Sequence, residues 1–140
     1  METVCLDTHP HVLLADDDDA LRELLDFALT RAGYLVSCCT NGRDLFDRLE
    51  EGDPFDLVIS DLSMPVLSGL EVLESQLTKQ LRPPFICMTA FGDRQAHDQA
   101  QLFGAVMTID KPFDLDEMIE LVHSTSLRKP RKTQHLRSLS

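Results

Sequence analysis

No stretch of this 140-residue sequence stays apolar long enough to cross a bilayer; its hydrophobic residues come in short runs such as Val12-Leu13-Leu14-Ala15. The opening residues METVCLDTHPH have no basic segment leading into an apolar one. A secretory leader is therefore not expected, and the protein reads as cytoplasmic, with no membrane partner. Metal-clip spacing of cysteines is missing too. The four cysteines stand at 5, 38, 39 and 87, none in a Cys-x-x-Cys pair. Neighbours in a strand point to opposite faces, so Cys38 and Cys39 cannot act as a clip. All four read as reduced thiols that fill space like small hydrophobes. Basic residues are scarce where a nucleic-acid surface would need them. Five of the 13 Lys/Arg fall in residues 126–140, where there is no acid, leaving eight bases against 24 acids in the first 125 residues. That excess of negative charge argues against nucleic-acid binding by the globular part.

What is present suits one folded domain. Hydrophobic residues make up 43% of the chain, enough for a core at this length. The expected layout is an N-terminal extension over 1–9, a domain over 10–125, and a basic, disordered tail or linker over 126–140, with Pro130 in it.

Two periodicities alternate along the domain. Val12 to Ala15 is a short apolar run that predicts a buried strand. Asp19 then caps a helix with Leu21, Leu24, Leu25, Ala28 and Ala32 inward, and Gly33 ends it. Tyr34 to Cys38 is a second strand, and Asn41-Gly42 opens a helix with Leu45 and Leu49 inward. Gly52-Asp53-Pro54 breaks the chain. Leu57 to Ile59 is a third strand, followed by a loop with Pro65 and Gly69 and a helix with Leu70, Leu73 and Leu77. After Pro83-Pro84 come a strand over Phe85 to Met88 and a polar helix over 93–103, with Ala96, Ala100 and Phe103 inward. Gly104 stops that helix. Ala105 to Ile109 is the fifth strand, and Asp114 caps a last helix with Leu115, Met118, Ile119 and Val122 inward. Five strands alternating with five helices predict an α/β fold, a parallel sheet covered on both faces.

The apolar runs end abruptly in reactive groups. The first is followed by Asp16-Asp17, the third leads to Asp61, the fourth to Thr89 and the fifth to Lys111. In open parallel sheets ligands bind beyond the carboxyl ends of the strands, so these residues are predicted at one edge. Crowded carboxylates repel unless a cation joins them, and hard oxygen donors suit Mg²⁺. A metal, a lysine and a hydroxyl around a carboxylate make an electrostatic clamp for a transferring phosphoryl group, and a carboxylate can itself accept that group. Any one of these residues alone is ordinary: an Asp after a strand is usually a turn or cap residue, as Asp18 and Asp19 are taken to be. Their conjunction at four strand ends carries the argument.

At these residues the sequence resembles the receiver domains of bacterial two-component response regulators. The similarity covers roughly residues 10–125, through VLLADDDDALRELL at 12–25, DLVISDLSMPVLSGLEVL at 56–73, FICMTAFG at 85–92 and GAVMTIDKPFDLDEMIELV at 104–122. The resemblance implies a flavodoxin-like, doubly wound fold with strand order 2-1-3-4-5. It implies that Asp61 is the phosphoacceptor, fed by a sensor histidine kinase or a phosphotransfer protein. Asp17 would bind Mg²⁺ directly, Asp16 would hold it through water, and the Ser63 carbonyl would complete the protein ligands. Thr89 and Lys111 would contact phosphoryl oxygens, and the Lys111–Pro112 bond would be cis. A downstream effector protein would read the altered surface, and phosphorylation-dependent homodimerisation is left open. Thr108 departs from the pattern, because the family has an aromatic switch residue there; that puts the relay in doubt and leaves the chemistry intact.

Three rival readings stand beside this one. A pseudo-receiver would keep the fold for protein contact without phosphorylation. A Mg²⁺-dependent phosphohydrolase would need a second Asp two residues after Asp61, where Ser63 stands. A dinucleotide-binding domain lacks its G-x-G-x-x-G after the first strand.

Overall fold

The computed structural model describes residues 9–128. Five strands alternate with five helices: β1 (His11–Ala15), α1 (Asp19–Arg31), β2 (Leu35–Cys39), α2 (Gly42–Glu50), β3 (Leu57–Asp61), α3 (Gly69–Ser75), β4 (Phe85–Ala90), α4 (Arg94–Leu102), β5 (Met107–Lys111) and α5 (Leu115–Arg128). The strands form one parallel sheet in the order β2-β1-β3-β4-β5, so the flavodoxin-like α/β architecture expected from the sequence is the one observed. No helix among the described residues is long and apolar enough to cross a membrane. The expected extension, apart from His9, and the tail from 129 onward lie outside the described residues; α5 continues to Arg128, past the expected edge at 125.

Alternation along the strands sorts side chains into two cores. On one face Leu13, Ala15, Val58, Phe85 and Cys87 pack under Leu45, Val72, Leu73 and Ala100 of α2, α3 and α4. On the other, Val12, Leu14, Leu57, Ile59, Ile86 and Met88 pack under Leu25, Leu29, Met118 and Val122 of α1 and α5. The central strands are apolar on both sides because helices cover both sides.

Local chemistry fixes where the helices start. Asp18, not Asp19, caps α1: its backbone is extended and its carboxylate accepts from the Leu21 N–H at 3.2 Å. Asp19 falls one residue inside, where an acid favours the positive end of the helix dipole. Asn41 caps α2 as expected. Ser68 and Glu71 form a reciprocal capping box on α3 that sequence reading passed over.

Several expected boundaries and faces shift. In α1 the inward leucines are Leu25 and Leu29, while Leu24 is 49% and Phe27 62% exposed. Leu24 and Phe27, three apart, lie on the outer stripe, and the Arg31 guanidinium lies 5.7 Å from the Phe27 ring centroid. Helix α3 stops at Ser75, short of the half-exposed Leu77; the Ser75 hydroxyl bonds back to the Val72 carbonyl and Gln76 is the C-cap. Strand β2 starts at Leu35, because Tyr34 turns inward and hydrogen-bonds His123 Nδ1 of α5 at 3.0 Å. Strand β5 lies two residues later than its apolar run, since Met107 to Lys111 pair with Ile86 to Ala90.

Candidate functional site

The carboxyl edge of the sheet gathers the polar strand ends. Asp16 follows β1, Asp61 closes β3, Thr89 is next to last in β4, and Lys111 closes β5. The Lys111 ammonium lies 3.0 Å from Asp16 Oδ2 and 3.0 Å from Asp61 Oδ2. Two carboxylates from strands at the centre of the sheet therefore share one cation from its edge. Carboxylate oxygens of Asp16, Asp17 and Asp61 lie within 4.8 Å of one another. Asp16, Asp61 and Thr89 are buried, and Asp17 is exposed. The Lys111–Pro112 peptide is cis, as the resemblance implied.

Backbone groups complete the arrangement. The Ser63 N–H donates to Asp61 Oδ1 at 3.2 Å, and the Asp18 N–H donates to Asp16 Oδ1 at 2.9 Å. The second oxygen of Asp16 is buried and has no hydrogen bond, although it sits 3.0 Å from Lys111. The distance marks an ion pair whose direction falls short of a hydrogen bond. A buried charged oxygen satisfied only by charge is one that a cation would stabilise.

Ionisation follows from the same contacts. Burial pushes the Asp61 carboxyl above its ordinary value, despite the opposing Lys111 ammonium and Ser63 N–H, and Asp16 adds to the rise. Burial works against the Lys111 charge, but Asp61 and Asp16 outweigh it and hold the ammonium above its usual value. The lysine is thus a fixed positive charge, and the acids are incompletely neutralised by it.

Asp16, Asp17, Asp61 and Lys111 come together as a cluster, with Ser63 joined to it through its N–H. Thr89 stands one residue beyond Met88, which is the register partner of Asp61. Thr108 lies apart from the acids, opposite Cys87, where it lines a groove with His97, Met107, Glu117 and Glu120.

Three features of the site were not read from the sequence. Gly69 starts α3 directly against β3; a Cβ there would sit 1.9 Å from the Asp61 carbonyl oxygen and 2.7 Å from Ser60 Oγ. Its position after Met64-Pro65 in the sequence carries no sign of this contact. Arg22 reaches back from α1 to the Asp16 carbonyl at 2.8 Å. His97 of α4 donates to Asp110 of β5 at 2.6 Å. Neither side chain ends an apolar run, the signal that revealed the others.

Comparison with known proteins places the fold among relatives. The transcriptional regulatory protein FixJ of Bradyrhizobium diazoefficiens is 35% identical over 117 residues, covering 84% of this chain and 57% of its own length. The regulatory protein AtoC of Escherichia coli is 31% identical over 91% of this chain, but only 27% of AtoC is covered. The chain thus spans little more than half of FixJ and about a quarter of AtoC. Among solved structures, a response regulator from Chloroflexus aurantiacus superposes with a TM-score of 0.80 at 28% identity, over 86% of this chain and all of that one. The N-terminal piece of FixJ gives 0.78 at 27% identity, over 89% and 98%. The family model described as the response regulator receiver domain matches residues 12–123. With an acid cup and a lysine on the matching fold, this chain belongs to the receiver-domain family of two-component response regulators.

Proposed function

We propose that Asp61 accepts a phosphoryl group from a phosphohistidine on a sensor kinase or phosphotransfer protein, with Mg²⁺ bound beside it, in the cytoplasm. The observation that carries this reading is the Lys111 ammonium 3.0 Å from both Asp61 and Asp16, with Asp17 in the same acid cluster. An Asp61 carboxylate oxygen forms a bond to phosphorus while the phosphorus–nitrogen bond of the donor breaks. The histidine ring leaves with that electron pair and takes a proton. Lys111 holds negative charge on the moving group, and the Thr89 hydroxyl donates to it.

The donor set supports the metal. Three clustered carboxylates, one with a buried oxygen satisfied only by charge, provide hard oxygens for a small divalent ion. Asp16, Asp17, Asp61 and the Ser63 carbonyl would hold Mg²⁺, which supplies positive charge next to the phosphoryl oxygens. Phosphorylation adds a charge of roughly −1.5 to −2 to the edge. Lys111 and Thr89 respond to it, and the surface around them shifts toward an effector protein.

Incubation with acetyl phosphate and Mg²⁺, followed by intact-mass spectrometry, tests this. The expected result is a labile phosphoryl adduct on the wild type, lost with EDTA and absent from Asp61→Asn. No adduct, together with unchanged partner binding by Asp61→Ala, would return the chain to the pseudo-receiver alternative.

A further inference from the structure

Asp16 is held through both main-chain groups and through one carboxylate oxygen. Its N–H donates to the Cys39 carbonyl at 3.2 Å, and its Oδ1 accepts the Asp18 N–H. Its own carbonyl accepts from Arg22 Nη1 at 2.8 Å, while Arg22 Nη2 donates to Asp19 Oδ1 at 2.7 Å. The Arg22 side chain is only 13% exposed, whereas that of Asp19 is 79% exposed. One flat guanidinium therefore ties the end of β1 to the first turn of α1, using two donors set in a rigid fork. Among the described residues Arg22 contacts no carboxylate of the acid cluster.

The consequence falls on Asp17. This exposed acid stands between Asp16, pinned through both main-chain groups, and Asp18, fixed as the helix cap. Its approach to Asp61 is set by the loop that carries it. We propose that Arg22 is a positioning residue for the divalent-cation site, fixing the loop over 16–18 so that Asp17 faces Asp61. This rests on the reading that Asp16, Asp17 and Asp61 hold Mg²⁺.

Two physical effects oppose each other here, which makes the sign of the result informative. Removing a cation near three acids strengthens attraction for a divalent ion. Removing the grip leaves the buried Asp16 carbonyl without its donor and lets the loop drift. If positioning governs, affinity falls.

The test is Mg²⁺ titration by calorimetry on wild type, Arg22→Ala, Arg22→Lys and Asp17→Asn, with folding checked by circular dichroism in EDTA. Arg22→Ala is expected to bind Mg²⁺ about tenfold more weakly, the lower end of what loss of an outer support costs a metal site. Arg22→Lys keeps the charge but not the fork, and is expected to fall between the two. If Arg22→Ala does not fold, Arg22→Lys carries the test alone. Unchanged or tighter binding by a folded Arg22 variant overturns the proposal, since a merely structural role lowers stability without weakening the metal. Failure of the underlying reading looks different: wild type would show no saturable Mg²⁺ binding, or Asp17→Asn would bind as wild type does.

Discussion

His97 of α4 and Asp110 of β5 meet at 2.6 Å, in the same row of the sheet as Thr89. Thr89 and Asp110 are register partners, so both point to the face that α4 covers. Helix α4 has one fully buried residue, Ala100, and depends on this pair for part of its attachment. Both side chains are about one-third exposed, which limits the pair to about 0.5–1 kcal/mol. In His97→Ala, amide hydrogen exchange should quicken across residues 94–102 and stay unchanged in α1. Uniform exchange across the two helices in the variant would mean that the pair does not anchor α4.

Lys111 pairs with two buried acids at once, and its side chain is 25% exposed. Lys111→Met leaves both carboxylates without a countercharge. Urea unfolding in EDTA should show a loss of about 3 kcal/mol, the low end for breaking a buried pair from one side. Added Mg²⁺ should restore part of it, because a ligand that binds only the folded state stabilises it. Equal urea midpoints for variant and wild type in EDTA would contradict this account.

Gly69 has no room for a methyl group. Its Cβ would meet the Asp61 carbonyl oxygen at 1.9 Å and Ser60 Oγ, itself bonded to that carbonyl, at 2.7 Å. Neither the strand end nor the helix start can yield cheaply. Gly69→Ala should destabilise by about 1–3 kcal/mol, the usual cost of overpacking, and should slow phosphorylation from acetyl phosphate by displacing Asp61. A variant with wild-type stability and rate would show that the contact relaxes freely.

Buried thiols give the protein an alkaline weakness. Burial pushes Cys39 up to about 12, helped by Asp44, and pushes Cys87 up to about 12 against the pull of Arg82. The unfolded thiols lose their protons first, near 9. The stability from keeping them protonated is fully present below pH 9 and is lost as the pH rises from there through 12. Unfolding free energy should therefore fall less steeply between pH 9 and 11 in Cys87→Ala than in wild type, whatever the variant's absolute stability. Parallel slopes would show that Cys87 ionises in the folded state as readily as in the unfolded one.

How far the sequence could be read depended on what each signal measures. Asp16, Asp61, Thr89 and Lys111 were legible because each stands at or just past the end of an apolar run, and strand ends share an edge. The same rule misplaced β5. Three of its five residues, Thr108, Asp110 and Lys111, are polar, and strand pairing counts ladder bonds, which hydropathy does not register. In α1, Leu24 and Leu29 are alike in hydropathy, and only packing against the sheet decides that Leu29 goes in. Arg22 and Gly69 act through contacts with a backbone carbonyl, which leave no periodic trace.

Lys111 belongs to an outermost strand, yet its ammonium crosses over β4 to grip groups from β3 and β1. A border strand of a sheet ordinarily peels first, because it has a neighbour on one side only. Here peeling must first release that strap. Filling the acid cup and fraying the sheet's margin therefore work against each other, and a ligand bound at the one should be felt as stiffness at the other.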